Sequence, residues 1–218
     1  MTKPEEQGYV SVIGHAFIEP MLSLVENLES WQPAIPNALQ TGQRENGHSL
    51  ATIVLAALLF ESALNRTSYV RNEKNVGPNY FKSVSSNQGL TDELEEIYAV
   101  RNVIAHNHIW EAKFVWDDSG DMQFTELPKL REGYGDNRHL KVMDPKTRKS
   151  RLLTMNMFPS RIWRRDAYIA LKTIAKGLNQ LESIDRRYFY LTPHHFRFQG
   201  KTVTFNQIIE NLCVPNDV

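Results

Sequence analysis

From Leu50 to Phe60 the chain reads Leu-Ala-Thr-Ile-Val-Leu-Ala-Ala-Leu-Leu-Phe, apolar at every position except Thr52. A helix this apolar on all sides offers no face to water, so it settles in the centre of a bundle or between subunits. Other helices must therefore surround it, and this fixes the expected fold class. The run is too short to span a bilayer, which needs about 20 such residues. Ser49 can cap this helix over 50–69, and Glu61, Asn65 and Arg66 make its far end polar.

Three further helices are expected. Over 10–31, Val12, Ile13, Ala16, Phe17, Met21, Leu24, Val25 and Leu28 recur at helical spacing, with a kink at Pro20. Pro33 and Pro36 open a loop that runs through Gly42 and Gly47, and 75–89 reads as a second loop. Thr91 can cap the next helix, with Asp92 and Glu93 in its first turn where the helix dipole favours acids, and this helix continues to about 108. The last spans 159–184, with Ile162, Tyr168, Ile169, Leu171, Ile174, Leu178 and Leu181 on its apolar face.

Between the last two helices the pattern turns strand-like. Residues 110–116 alternate, Asp117-Asp118-Ser119-Gly120 forms a turn, and 122–127 returns as the partner strand. A second hairpin is expected from 140–143, across 145–148, to 152–155. The fold class is thus mainly α: a four-helix bundle in a single domain over 1–218, with a β-rich insertion at 109–158 and a C-terminal extension at 185–218. That extension is expected to hold a hairpin through Gln199-Gly200-Lys201 and a final helical turn around Ile208.

Lys and Arg total 25, as do Asp and Glu, so no global basic field announces a nucleic-acid partner. A local patch suffices to bind phosphate, however, and one is written into 138–165. There Arg138, Lys141, Lys146, Arg148, Lys149, Arg151, Arg161, Arg164 and Arg165 are opposed only by Asp144. Lys146, Arg148, Lys149, Arg151, Arg161, Arg164 and Arg165 are the expected RNA-contacting set, with Trp163 and the aromatic tail available to stack on bases. The competing reading is a solvated hairpin and helix start, with the aromatics packing it onto the bundle. Cys213 is the single cysteine, which excludes an intramolecular disulfide; its apolar neighbours predict a buried thiol. The polar N-terminal residues carry no signal-peptide pattern, so a cytoplasmic protein with no membrane partner is expected.

The chemistry-bearing segment is Arg101-Asn102-Val103-Ile104-Ala105-His106, at the end of the third main helix. On a wheel at ~100° per residue, Ile97, Val100 and Ile104 share one face, Asn102 and His106 share another with Glu95, and Arg101 borders both. Cutting an RNA phosphodiester through its own 2′-hydroxyl needs a general acid or base near neutral pH and a cation for the charge on phosphate. Histidine and arginine supply these. His106 and His108 point to nearly opposite sides of a helix, and no other ligand set is evident, so neither a metal nor a cofactor is expected. A plainer reading also exists, because the dipole favours Arg and His at a helix C-terminus whatever their chemistry.

With the polar residue directly after its arginine, this segment resembles the R-x(4–6)-H signature of the HEPN superfamily. The resemblance covers the helices, about 10–108 and 159–184. It implies a helical bundle acting as a homodimer, and a metal-independent endoribonuclease of a toxin–antitoxin or phage-defence system that leaves 2′,3′-cyclic phosphate ends. By the same resemblance His106 is the catalytic acid or base and Arg101 the phosphate-stabilising cation. Asn102 orients His106 or contacts phosphate, and Glu61 supports Arg101. A cell-resident ribonuclease needs restraint, so a neutralising or regulatory protein partner is expected. The alternative within the resemblance is a non-catalytic module that binds RNA or a partner protein.

Overall fold

The apolar run lies in the middle of α2 (Arg44–Val70), and α2 is the element on which the others assemble. It packs against α1 (Ile18–Ser30), α3 (Gly77–Val84), α4 (Gln88–Ala105) and α6 (Arg164–Ile184). The structure, a computed structural model, describes residues 13–33, 44–106, 109–120, 122–131, 138–185 and 194–216. The fold is mainly α. Ile53, Ala56, Ala57, Leu59, Phe60, Ala63 and Leu64 of α2 are all fully buried, with Leu22, Val25, Ile97, Val100, Leu171 and Ile174 of the neighbouring helices around them.

Helix α2 starts at Arg44, well before Leu50, and so takes Gly47 into a helix where a loop was expected. Its added first turns are held by partners distant in sequence. Asn46 Nδ2 donates to the carbonyls of Pro159 at 2.8 Å and Ile162 at 2.7 Å, and the Glu45 carboxylate meets Arg164. These bonds outweigh the weak helix propensity of glycine and asparagine. The lengthened α2 is long and apolar enough to cross a membrane by length and composition alone, but half of its most apolar window is buried by its neighbours.

Helix α1 follows a 3₁₀ turn, Ile13–Phe17. Pro20 therefore falls in the first α-turn, where its missing N–H leaves no bond unmade, and the helix type changes at Phe17, three residues before the Pro20 at which a kink was expected. The Gly14 N–H donates to Ser62 Oγ at 3.0 Å, and a Cβ there would lie 3.0 Å from the Ser62 side chain.

Helix α3 occupies part of the expected second loop, burying Tyr80 and Phe81, with the Phe81 ring edge-on to Phe60 at 5.4 Å. Helix α4 is capped by Asn87, whose Oδ1 accepts from Leu90 N–H at 3.0 Å; the expected cap, Thr91, instead donates its hydroxyl to the Asn87 carbonyl.

After α4, β1 (Trp110–Glu111) pairs with β4 (Lys129–Leu130), and β2 (Phe114–Trp116) with β3 (Met122–Phe124), both antiparallel. This is the expected first hairpin. Its root rests on the body of the molecule, where Trp110 and Phe124 meet the Phe158 ring at 5.5 and 6.1 Å. The second expected hairpin does not form. Arg138–Val142 is a short helix, α5, packed on α4, and only the isolated bridges Met143↔Ser150 and Lys149↔Asn156 follow it. The inward residues His139, Val142 and Met143 are spaced for a helix face, so burial selects helix over strand.

A 3₁₀ turn, Pro159–Arg161, leads into α6, which begins later than expected. In the C-terminal extension, β5 (His195–Phe198) pairs with β6 (Lys201–Thr204) and leads into α7 (Phe205–Asn211), as expected. Cys213 is exposed, contrary to the buried thiol expected from its neighbours.

Candidate active site

Tertiary packing orients the end of α4. Arg101 points at α2, where its Nη2 donates to Glu61 Oε2 at 2.9 Å. This joins the C-terminal halves of the two helices. The Arg101 guanidinium also lies over the Tyr98 ring, 5.6 Å from its centroid. The Tyr98 phenol is buried with no hydrogen-bond partner among the described residues. Burial, and then the negative charge of Glu61, push its ionisation well above the usual tyrosine range. Tyr98 is thus a neutral platform beneath a cation, a role its residue type alone did not suggest.

Helix α4 ends at Ala105, with His106 as its C-cap at φ −93°, ψ 9°. The His106 N–H donates to the Asn102 carbonyl at 3.0 Å, and the His106 side chain is exposed. Asn102 is half-buried. The five-residue step from Arg101 to His106 turns ~140° around the helix and advances ~7.5 Å along it. One chain thus presents a half-buried cation against α2 and an exposed imidazole on a different flank of the same rigid helix. His108, the other half of the pair weighed as metal ligands, lies outside the described residues.

The basic segment is mounted on the opposite flank of α4. Glu96 is buried, and its two carboxylate oxygens accept the N–H groups of Leu152 at 2.8 Å and Leu153 at 2.9 Å. The loop carrying Lys146, Arg148, Lys149 and Arg151 is therefore tied to the helix that carries Arg101 and His106. Lys146 and Arg151 are exposed; Arg148, in the left-handed region at φ 58°, and Lys149 are half-buried. Arg165 reaches back to this loop, donating to the Thr154 carbonyl at 3.1 Å and hydroxyl at 2.8 Å. Arg161 stacks over Phe124 at 4.6 Å, and partial burial pulls its pKa below the usual guanidinium range.

Two residues of the expected RNA-contacting group lie inside the protein. Arg164 is only 6% exposed and forms a two-pronged pair with Glu45, at 3.0 Å to each oxygen, while also donating to the Trp31 carbonyl at 3.1 Å. Trp163 is 1% exposed and cannot stack on a base. Both belong to the start of α6, which is buried because α2 reaches back to cover it. The aromatics at 188, 189 and 190 lie outside the described residues, while Phe196 and Phe198 turn inward.

Sequence reasoning missed Glu96 and Glu45. Glu96 was legible in principle, since it falls on the sector of α4 occupied by Val100 and Val103, and an acid on an apolar stripe must find donors. Glu45 carried no such local signal. Among the described residues, no group of three or more His, Cys, Asp or Glu side chains gathers as a metal site. In comparisons with known proteins, no family model, no curated protein and no solved structure matches the chain.

Proposed function

We propose that the protein is an endoribonuclease of HEPN-like design, a four-helix bundle with a β-rich insertion, which cleaves RNA without a metal. One observation carries this reading. Arg101 is held by Glu61 at 2.9 Å on the rigid helix that ends in the exposed His106, and that helix also anchors a basic loop through Glu96. In the reaction, the substrate 2′-hydroxyl gives its proton to a base and its oxygen attacks phosphorus. The bond to the 5′-oxygen breaks, and that oxygen leaves with a proton from an acid. The products are a 2′,3′-cyclic phosphate and a 5′-hydroxyl. His106 serves as acid or base, Arg101 neutralises charge on the phosphate, and Asn102 orients His106 or contacts phosphate.

Lys146, Lys149 and Arg151 follow the RNA backbone, with Arg148, Arg161 and Arg165 shaping the surface beside them. Because Arg101 and His106 diverge by ~140° around α4, a second copy completes the cleft. The protein works in the cytoplasm, away from membranes, in a toxin or phage-defence system, and a neutralising or regulatory protein restrains it.

The test is incubation of the purified protein with mixed RNA in EDTA, beside His106→Ala and Arg101→Ala. The expected result is cleavage in EDTA that each substitution abolishes. Activity lost in EDTA but retained in both variants refutes the reading. The divergence of Arg101 and His106 within one chain favours a second reading, a non-catalytic module that holds RNA or a protein. It predicts RNA affinity without cleavage and little effect of His106→Ala on binding.

A further inference from the structure

Strand β2 with its flanks reads Lys113-Phe114-Val115-Trp116-Asp117, and its three central residues are 44%, 53% and 64% exposed. Large hydrophobic side chains thus meet water on both faces of one strand, although Phe114 and Trp116 stack edge-to-face at 5.6 Å. An edge strand of this kind is a template for pairing with another strand.

One edge of β2 is taken by β3, with Phe114 opposite Phe124, Val115 opposite Gln123 and Trp116 opposite Met122. The Lys113 carbonyl accepts the Thr125 N–H at 3.0 Å, so the odd-numbered residues aim their backbone groups at β3. By the antiparallel alternation, the N–H and C=O groups of Phe114 and Trp116 face the other edge. No strand occupies that edge among the described residues.

We propose that the free edge of β2 pairs with the same strand of a second copy, antiparallel, about a two-fold axis at Val115. In this register Phe114 opposes Trp116 of the other copy, and the outward backbone groups of both form hydrogen-bonded pairs. Val115 opposes itself, and Lys113 opposes Asp117. The pattern cation, aromatic, aliphatic, aromatic, anion is its own complement when reversed, which is what an isologous contact requires. A register centred on Phe114 sets Val115 against Lys113, and one centred on Trp116 sets it against Asp117. Lys113 now bonds Glu126 at 2.7 Å, but Lys129 also bonds Glu126 at 2.9 Å, so Lys113 can turn outward without leaving that acid unpaired.

Charge argues against RNA as the occupant. Over 109–131, Glu111, Asp117, Asp118, Asp121 and Glu126 outnumber Lys113, Lys129 and Arg131, and a negative hairpin repels a phosphate backbone. The pairing produces a four-stranded sheet of two hairpins, and it stands whether or not the chain cleaves RNA.

The register is tested with Val115→Cys in a Cys213→Ser background. A non-hydrogen-bonded antiparallel pair sets its Cα atoms about 4.5 Å apart, within disulfide reach. Gln123→Cys, on the same face but in the outer strand, would lie roughly 14 Å from its copy across three strand spacings. Under mild oxidation, Val115→Cys should form a covalent dimer at least about tenfold faster than Gln123→Cys. In sedimentation equilibrium the natural chain should dimerise, and Trp116→Glu should weaken the association at least about tenfold.

Equal cross-linking of the two cysteine variants overturns the proposal. So does a dimer indifferent to Trp116→Glu, or a chain that stays monomeric while Trp116→Glu lowers its RNA affinity. A cleavage assay on the same samples separates this proposal from the nuclease reading: an intact dimer that cuts nothing counts against the nuclease alone, and cleavage by a dimer indifferent to Trp116→Glu counts against the hairpin alone.

Discussion

Arg101 and Glu61 join α4 to α2 through a 2.9 Å ion pair in which 19% and 35% of the two side chains are exposed. At that exposure solvent screens the attraction, and the pair contributes roughly 0.2–1 kcal/mol to stability. Its larger consequence is positional, since it turns a guanidinium edge toward α2 and away from the His106 flank. On the nuclease reading, a phosphate entering the site would compete with Glu61 for that edge. Glu61→Gln should therefore cost less than about 1 kcal/mol in urea unfolding, while raising RNA affinity a few-fold in a filter-binding titration. A loss of several kcal/mol, or weaker RNA binding, would show that the pair is structural and not part of a binding site.

The pair between Arg164 and Glu45 is of a different kind, with each side chain only 7% exposed. Removing one partner leaves a buried charge without its counterion, a loss of about 3–5 kcal/mol. Glu45→Ala and Arg164→Ala should each unfold at markedly lower urea concentration. The paired replacement Glu45→Met with Arg164→Leu should cost much less than the sum of the two single losses, because no charge is stranded. RNA affinity, measured on the folded fraction, should not follow Arg164, since its guanidinium does not reach the surface. A selective loss of RNA binding in Arg164→Ala would return this residue to the phosphate-contacting group.

These two pairs mark how far the amino-acid order could be read. The apolar run 50–60 announced a central helix, because no other environment suits it. The first hairpin was legible from Asp117, whose Oδ1 accepts the Ser119 N–H at 3.0 Å, and from Gly120 at φ 83°. Glu61 was nameable as a partner for Arg101 only through the resemblance and its place at the polar end of the second helix, since no spacing fixes which helix faces Arg101. Glu45 and Arg164 are 119 residues apart, and nothing local to either predicts the meeting. For the same reason the true start of α2 and the burial of Trp163 were illegible, and α5 displaced an expected strand. Each is decided by a tertiary contact that overrides local propensity.

Gly177 sits where α6 crosses α2, and a Cβ there would lie 2.9 Å from Phe60 Cε2 and Cζ. The Phe60 ring is fully buried and held edge-on by Phe81, so it cannot swing into solvent. Alanine gains about 1 kcal/mol of helix propensity over glycine, against about 1–3 kcal/mol for an overpacked core. The steric term should win. Gly177→Ala should lower the melting temperature, and Gly177→Ala combined with Phe60→Leu should recover part of the loss. A rise in melting temperature for the single variant would show that the two helices part easily at this crossing.

Asp166 sets the pH dependence expected of the fold. Its carboxylate is fully buried and accepts from Asn156 N–H at 2.9 Å, Asn156 Nδ2 at 3.0 Å and Trp163 N–H at 3.1 Å. Those donors favour the anion, but burial outweighs them and raises the carboxyl from 3.8 to about 6. Between those values the folded chain binds a proton that the unfolded chain has released. This residue's contribution is therefore present in full below about pH 4 and is lost as pH rises through about 6. At about 1.4 kcal/mol per unit, the swing is on the order of 3 kcal/mol. Other carboxylates titrate in the same window, so the measurement is a difference: urea unfolding of the natural chain and of Asp166→Asn from pH 4 to 7. Asp166→Asn should be the less stable throughout, having one acceptor oxygen where two are used. The gap between the two proteins should narrow as pH rises from 4 to 6 and then hold constant. A gap that widens over that interval would mean that the three donors outweigh burial and that the buried carboxylate is held as an anion.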